Sequence, residues 1–437
     1  VNVASAPGRD FLALSRRLLD ALGAEGLGSE SDQRQFAVDG IEPAWVLLPA
    51  SAPETGQALA LCAGHDLAVV PAGLGLRLAQ GRPPTRLDAV LSTSRMDRIV
   101  EHAAEDLTVT VEAGATLAAV NATIRASGQW LPLDPALSAE TTIGGLLAAN
   151  VSGPSRQAFG TVREWLLGLR VALLDGTIVK SGGRVVKNVA GYDVHKLLVG
   201  SFGTLGVILE ATFKLQPLPE ATRVLAFTSP DLGVLFRLGS ALADSASPPR
   251  FIEVVVEGNE PPRLITGFAG LVEEAEDGRG RAAAIAAGLG VDPEREPPGD
   301  EELHDVLDAF ERARDGVAVV LRARIRREDA CGWLASALGG ARSMARSVAA
   351  HAHAGIGIAY LRLDEPDPER LTGLVAALRE AAVRGGGYLV VEAAPTGWKN
   401  ALDVWGPPGP GFALMESVKA VFDPRGLLAP GRFVGGI

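Results

Sequence analysis

The sequence predicts an α+β protein of more than one domain, and three observations carry that expectation. Residues 44–70 show strand–helix–strand periodicity. From Glu220 onward, strand-like and helix-like stretches alternate in a way that suits a sheet with helices on one side. At 437 residues the chain is long for a single core, so two or three domains are expected.

The elements follow in order. Phe11, Leu14, Leu18, Leu19 and Leu22 recur at helical intervals with Arg16 and Arg17 opposite, so residues 9–28 read as an amphipathic helix closed by Gly23, Gly26 and Gly28. A strand over 44–48 leads into a helix from Pro53-Glu54-Thr55 to Ala63, where proline and acid suit the first turn. A strand over 67–70 then runs into Pro71-Ala72-Gly73-Leu74-Gly75-Leu76, and such a crossover implies parallel strands. Thr108–Glu112 reads as a strand, and 116–127 as a helix with Thr116 near its cap. Residues 166–174 and 177–180 read as a hairpin turned by Asp175-Gly176. In the second half, strands are expected over 223–228, 251–256, 263–268, 317–325, 355–363 and 387–392. Helices are expected over 230–244, 280–288, 330–338 and 411–422, with polar loops at 276–280 and 297–302.

Composition narrows the function classes. Hydrophobic residues make up 47% and charged residues 21%, which allows large cores and argues against disorder. The net charge of −11 carries no basic stripe, so nucleic acid is not an expected partner. The two cysteines, Cys62 and Cys331, are too few for an iron–sulfur cluster or a disulfide framework. No apolar run reaches the roughly 18 residues of a membrane span, and residues 1–10 show no signal pattern. The expectation is a cytoplasmic protein that reaches the inner membrane only through partners.

Three glycine-bearing loops hold the functional signal. Gly73-Leu74-Gly75 can offer bare backbone N–H groups to an anion, although an ordinary turn explains it as well. Thr142-Ile143-Gly144-Gly145 opens a helix with hydroxyls and little side-chain bulk, a geometry that suits phosphate; close packing of small residues is the plainer alternative. The third stretch, 182–208, joins two glycine loops through a short helix. Asp193 is its expected cap, Val194, Leu197 and Leu198 its apolar face, and Gly200 its stop. Gly200, Gly203 and Gly206 precede a strand, whereas a dinucleotide fingerprint opens a helix; Leu78 also breaks that pattern in the first loop. A nicotinamide-dependent dehydrogenase is therefore disfavoured.

Taken together, "TIGGLLAANVSGP", "GGRVVKNVAGYDVHKLLVGSFGTLGVI" and the terminal "FDPRGLLAPGRFVGGI" resemble the FAD-binding family of the vanillyl-alcohol oxidase and p-cresol methylhydroxylase (PCMH) type. Within it, the resemblance is strongest to the E-subunit type of bacterial glycolate oxidase, the FAD-binding subunit. It implies an N-terminal helix and lead-in over 1–42 and a two-part FAD-binding domain over 43–218. A cap domain with an antiparallel sheet would span 219–400, and 401–437 would return to the FAD domain. It also implies cofactor contacts. Pro71, Ala72, Gly73, Leu74, Gly75 and Leu76 would lie at the pyrophosphate, with Thr142, Ile143, Gly144 and Gly145 at pyrophosphate and ribose. Ser152, Gly153 and Gly160 would lie along the isoalloxazine, with Pro135 and Asn150 also in the binding set, and Gly206 and Ile208 at the adenine end. Relatives commonly read Arg-Gly-Gly-Gly-Thr in the first loop; Ala72, Leu74 and Leu76 depart from it, which predicts weaker FAD binding. The loop has no histidine, so the FAD is expected to be non-covalent.

Catalytic residues are less legible. The resemblance would place metal ligands and a base in a His-x-Gly-Asp-Gly-Asn-x-His stretch and a later Glu-His-Gly. Here His351-Ala352-His353-Ala354-Gly355-Ile356-Gly357 lacks the acid, and Glu392-Ala393-Ala394 stands at the second place. Two histidines at i, i+2 on a strand share a side, but a metal wants a third protein ligand. The pair is therefore read as structural or as a residual substrate contact, with no metal. His353, Arg184 and Arg322 remain weak catalytic candidates, Arg163, Arg184 and Arg322 are possible carboxylate partners on charge alone, and His65, His102, His195 and His304 are expected at the surface or partly buried. Ala429 stands where relatives carry asparagine.

Two functional readings follow. In the first, the chain oxidises glycolate or another short 2-hydroxy acid with FAD, alongside a sister FAD subunit and an iron–sulfur subunit of one complex. In the second, it keeps the flavoprotein fold but serves assembly or electron relay beside a catalytic sister.

Overall fold

The computed structural model describes residues 9–183, 192–295, 300–312 and 318–437. Three main sheets organise them. The first is a parallel three-stranded sheet of β1 (Trp45–Leu47), β2 (Val69–Ala72) and β3 (Ala89–Ser92), with β3 in the middle. Helices α1 (Arg9–Leu22) and α2 (Glu30–Gln35) precede it, and α3 (Ala52–Gly64) makes the crossover from β1 to β2. Ser51 caps α3 by accepting the Glu54 N–H at 3.4 Å, which starts the helix where its proline and acid suggested. Leu14, Leu18 and Leu22 of α1 pack with Leu47, Leu59 and Leu91 in one core.

The second sheet is antiparallel, in the order β4-β5-β9-β7-β8. Its strands are β4 (Ile99–Ala103), β5 (Thr108–Glu112), β7 (Leu166–Ala172), β8 (Ile178–Gly182) and β9 (Val207–Lys214). A short pair, β6 (Gln129–Trp130) with β10 (Gln216–Pro217), lies beside it. Helices α4 (Leu117–Ile124) and α5 (Ile143–Ala149) share its core: Leu117, Ile143, Leu146 and Leu147 are buried against Val109, Val111 and Phe213. Two single-turn helices follow, α6 (Arg156–Phe159) and α7 (Val162–Trp165).

The third sheet has seven antiparallel strands, in the order β11-β13-β12-β15-β16-β14-β17. They are β11 (Ala221–Thr228), β12 (Phe251–Glu257), β13 (Arg263–Gly270), β14 (Val319–Arg324), β15 (Ser347–His353), β16 (Ile358–Asp364) and β17 (Tyr388–Ala393). Helices α8 (Leu232–Ala243), α9 (Val272–Gly288), α11 (Ala330–Arg342) and α12 (Pro368–Arg384) cover one face, and α10 (Asp300–Arg312) lies against the other. Because side chains alternate along a strand, Ile252, Val254, Ala350, Ala352, Leu321, Ala359 and Val391 enter the helix-covered core. Their neighbours Glu253, His351, His353, Arg322, Tyr360 and Glu392 therefore share the opposite face. That alternation assembles the candidate site.

The C-terminal stretch carries α13 (Thr396–Leu402) and α14 (Phe412–Phe422), then returns to the first sheet. The Ala429 N–H donates to the Val69 carbonyl at 2.8 Å. The Arg432 side chain donates to the carbonyls of Leu78 at 2.6 Å and of Gln80, just past the first glycine loop.

Several expectations are corrected. Residues 194–197 form one 3-10 turn, and Asp193 does not cap it. Its carboxylate pairs with Lys196 at 3.2 Å instead, while Val194 and Leu197 stay exposed. Helix α9 begins at Val272 and includes the expected loop at 276–280. Pairs Glu276–Arg279 and Asp277–Arg281, one turn apart, support a helix that apolar periodicity does not reveal. Helix α10 begins at Asp300, inside the second expected loop. The expectation gave no helix at 368–384, although Asp367 caps α12 and Pro368 opens it. His195, expected at the surface or partly buried, is buried, with 3% of its surface exposed.

Candidate functional site

The first, second and third glycine loops line a single groove of about 880 Å³. Pro71, Ala72, Gly73, Leu74, Gly75 and Leu76 form one wall; Thr142, Gly144 and Gly145 form another, and Phe202, Gly203, Gly206 and Ile208 a third. Thr142 caps α5, its hydroxyl accepting the Gly145 N–H at 3.2 Å. A Cβ at Gly73 would lie 2.1 Å from the Thr142 Oγ1, so the first two loops can approach only without a side chain there. Gly75 has φ +89°, a conformation that favours glycine. Backbone at three sides, free of bulk at the contact points, is what a long phosphate-bearing ligand needs.

A second cavity of about 700 Å³ adjoins the first, and Arg77 and Ala149 line both. It lies between the segment Asn150–Gly153 and the polar face of the seven-stranded sheet. Its charged groups are tightly partnered. Arg77 reaches Glu311 at 2.5 Å, and Arg322 donates through Nε to Glu392. Burial opposes charge on Arg322, but Glu392 and the phenols of Tyr360 and Tyr388 outweigh it and keep the guanidinium firmly protonated. Glu253, fully buried on β12, bonds the Nδ1 of His353 and stands 3.5 Å from the Nδ1 of His351. Burial alone would raise its carboxyl; the charge and hydrogen bonds of the two histidines outweigh that and hold it below the usual carboxylate range. The His351 ring stacks on Tyr360, with centroids 4.4 Å apart.

The sequence-derived residues divide between these cavities. Pro71 to Leu76, Thr142, Gly144, Gly145, Gly206 and Ile208 line the groove, and Asn150, Ser152 and Gly153 line the second cavity. Ile143, the first residue of α5, is fully buried rather than at the groove surface. Pro135 and Gly160 line neither cavity. His353 and Arg322 both reach the second cavity. Arg184 lies outside the described residues, and Arg163 is exposed on α7.

The expectation that the histidine pair lacks a third ligand is corrected. Glu253, His351 and His353 each offer a ligand atom, all within 4.8 Å of one another. Glu253 lies about a hundred residues upstream and reaches the pair because β12 and β15 are neighbours, with Glu253 directly opposite His353. Sequence reasoning also missed Arg77, Arg156 and Tyr360. The available signal was strand alternation: a charged residue inside an apolar strand, as in Phe251-Ile252-Glu253-Val254, marks a polar face that something must satisfy.

Residues 43–182 match the family described as FAD binding domain. The chain thus carries an FAD-binding domain over those residues. Its cofactor is FAD, and the backbone-lined groove fits it. Among relatives, it is 27% identical over 416 residues to glycolate oxidase subunit GlcD of Bacillus subtilis, covering 89% of this chain and 88% of that one. It is 37% identical over 182 residues to a probable mitochondrial D-lactate dehydrogenase of Danio rerio, where the match covers 41% of this chain and only 36% of the relative. Glycolate oxidase subunit GlcE of Escherichia coli matches at 40% identity over 125 residues, 28% of this chain and 36% of that one. The fold is that of the PCMH-type proteins: p-cresol methylhydroxylase superposes with a TM-score of 0.76 at 15% identity, over 98% of this chain and 97% of that one. The chain is thus an FAD-dependent oxidoreductase related to 2-hydroxy-acid dehydrogenases. Among the described residues, no helix is long and apolar enough to cross a membrane.

Proposed function

We propose that the chain oxidises a short 2-hydroxy acid such as glycolate, with the substrate in the second cavity and non-covalent FAD in the groove. The observation that carries this reading is the junction: a backbone-lined groove opens, at Arg77 and Ala149, onto a polar cavity with a partnered histidine. The backbone around Gly73 and Gly145 would hold the cofactor's phosphates, that around Gly206 its adenine end, and Asn150–Gly153 would border its reactive end. Bound FAD would supply the hydride acceptor.

The protein's own groups handle the proton. The Glu253 carboxylate, accepting from His353 Nδ1–H, fixes the tautomer that leaves Nε2 free to take the substrate's hydroxyl proton. The developing imidazolium is then stabilised by a carboxylate that burial keeps close and dry. His351, stacked on Tyr360 and edge-on to the His353 ring, limits that ring's freedom.

Similarity to GlcD and GlcE supports a place in a multisubunit glycolate oxidase, and in such a complex electrons would leave to an iron–sulfur partner. The two cysteines fit that division of labour, since Cys62 is buried in the first core and Cys331 packs beside the third. The GlcE match favours the second reading, in which this chain holds FAD but a sister subunit turns over the acid. Anaerobic addition of glycolate to the FAD-loaded chain separates the two. Bleaching of the flavin absorption by the chain alone supports turnover here, and bleaching only after a partner is added supports the relay role.

A further inference from the structure

The second cavity is lined by three arginines, Arg77, Arg156 and Arg322. Two are already neutralised, Arg77 by Glu311 and Arg322 by Glu392. Arg156 differs. It opens the single-turn helix α6, and its side chain makes no hydrogen bond or ion pair with any described residue. The acid whose charge reaches it, Glu164, accepts instead from the N–H of Thr161 at 2.7 Å and from its hydroxyl. Helix α6 is wedged against the turn between β15 and β16: a Cβ at Gly355 would come within 2.2 Å of Gln157 Oε1. That contact holds Arg156 over the polar sheet face. Burial, together with the neighbouring Arg324 and Arg322, pulls its guanidinium below the ordinary range despite the phenols of Tyr360 and Tyr388. A half-buried cation in such company is short of one negative charge.

We infer that Arg156 anchors the substrate's carboxylate, and that the cavity selects acids with one carboxylate over dicarboxylates. This rests on the reading that the cavity takes a 2-hydroxy acid. A carboxylate on a guanidinium forms two parallel charge-assisted hydrogen bonds, which fix the orientation of the adjoining hydroxyl-bearing carbon. Among the described residues that line the cavity, a second carboxylate finds no spare cation. It would have to displace Glu311 from Arg77 or Glu392 from Arg322, leaving a buried carboxylate without its partner.

The test uses the full chain loaded with FAD, and calorimetric titration with glycolate and with D-2-hydroxyglutarate as the dicarboxylate probe. Native protein binds glycolate at least about tenfold more tightly than D-2-hydroxyglutarate. Arg156→Met retains FAD but weakens glycolate binding about tenfold or more, the range of a lost charged hydrogen bond, and Arg156→Lys recovers part of it. Glu392→Gln frees Arg322 and shifts the preference toward the dicarboxylate; this variant and Arg156→Lys keep the question answerable if Arg156→Met does not fold. Unchanged glycolate binding in folded Arg156→Met overturns the assignment, as does loss of FAD with glycolate affinity kept. Equal affinity of the native chain for both acids overturns the selectivity. Native FAD-loaded protein that binds neither acid overturns the cavity reading, and this inference with it.

Discussion

Gln80 donates its side-chain N–H to Glu392 Oε2 at 2.5 Å, joining the end of the first glycine loop to the last strand of the seven-stranded sheet. Both residues are buried. The same Glu392 accepts from Arg322, so one carboxylate links the cofactor side of the molecule to the polar sheet face. Replacing Gln80 by Leu removes a donor from a buried carboxylate. The expected cost is about 1–3 kcal/mol, read as a lower denaturation midpoint. Faster FAD release on dilution should accompany it, because the loop loses its tie to the sheet. A midpoint and release rate equal to those of the native chain would show that the link carries no weight.

A second tie is the buried pair of Lys399 with Asp39, in which Lys399 also donates to the Ala79 carbonyl. Removing one member of a buried pair leaves the other charge uncompensated, at a cost of about 3–5 kcal/mol. Lys399→Met should therefore destabilise strongly, and Asp39→Asn added to Lys399→Met should recover much of the loss. Equal stability of the single and double variants, measured by urea denaturation, would contradict the pairing.

The Glu253 carboxyl is held below its unfolded range by His353 and His351, although burial opposes this. The sign follows directly. Such a group contributes stability that is present above its unfolded pKa, about 4.3, and lost as pH falls through the lower folded value. Glu253→Gln should thus flatten the acid side of the stability profile. It should also lower the rate of glycolate-dependent flavin reduction more than it changes glycolate affinity, since it acts through His353. His353→Asn should remove reduction while leaving FAD bound. Undiminished reduction in either variant would exclude the histidine as the base.

Legibility varied with how local the signal was. The crossover from β1 through α3 to β2, the β7–β8 hairpin and the caps at Thr116 and Thr142 were readable because each is decided by a few adjacent residues. The convergence of the three glycine loops was readable only through the family resemblance, since groove formation depends on contacts such as Gly73 to Thr142 across some seventy positions. Helix α9 was misread because ion pairs rather than an apolar stripe support its exposed first turns. The polar sheet face was hidden for a different reason. His351 and His353 looked ligand-poor from their own strand, because Glu253 arrives from a neighbouring strand whose register no local pattern fixes. Arg156 gave no sequence signal, since its distinction is a side chain without a partner among the described residues.

The central claim is that backbone from three distant loops holds FAD, and Gly73 tests it most directly. The measurement is FAD retained per chain after loading and desalting, from the visible absorption of the native protein and of Gly73→Val. A control, Gly64→Ala, sits where a Cβ meets nothing within 4 Å. The account predicts one FAD per chain for the native protein and the control, and none for Gly73→Val in a chain that still folds. A colourless native protein, or a Gly73→Val variant that keeps its full complement of FAD, would contradict it.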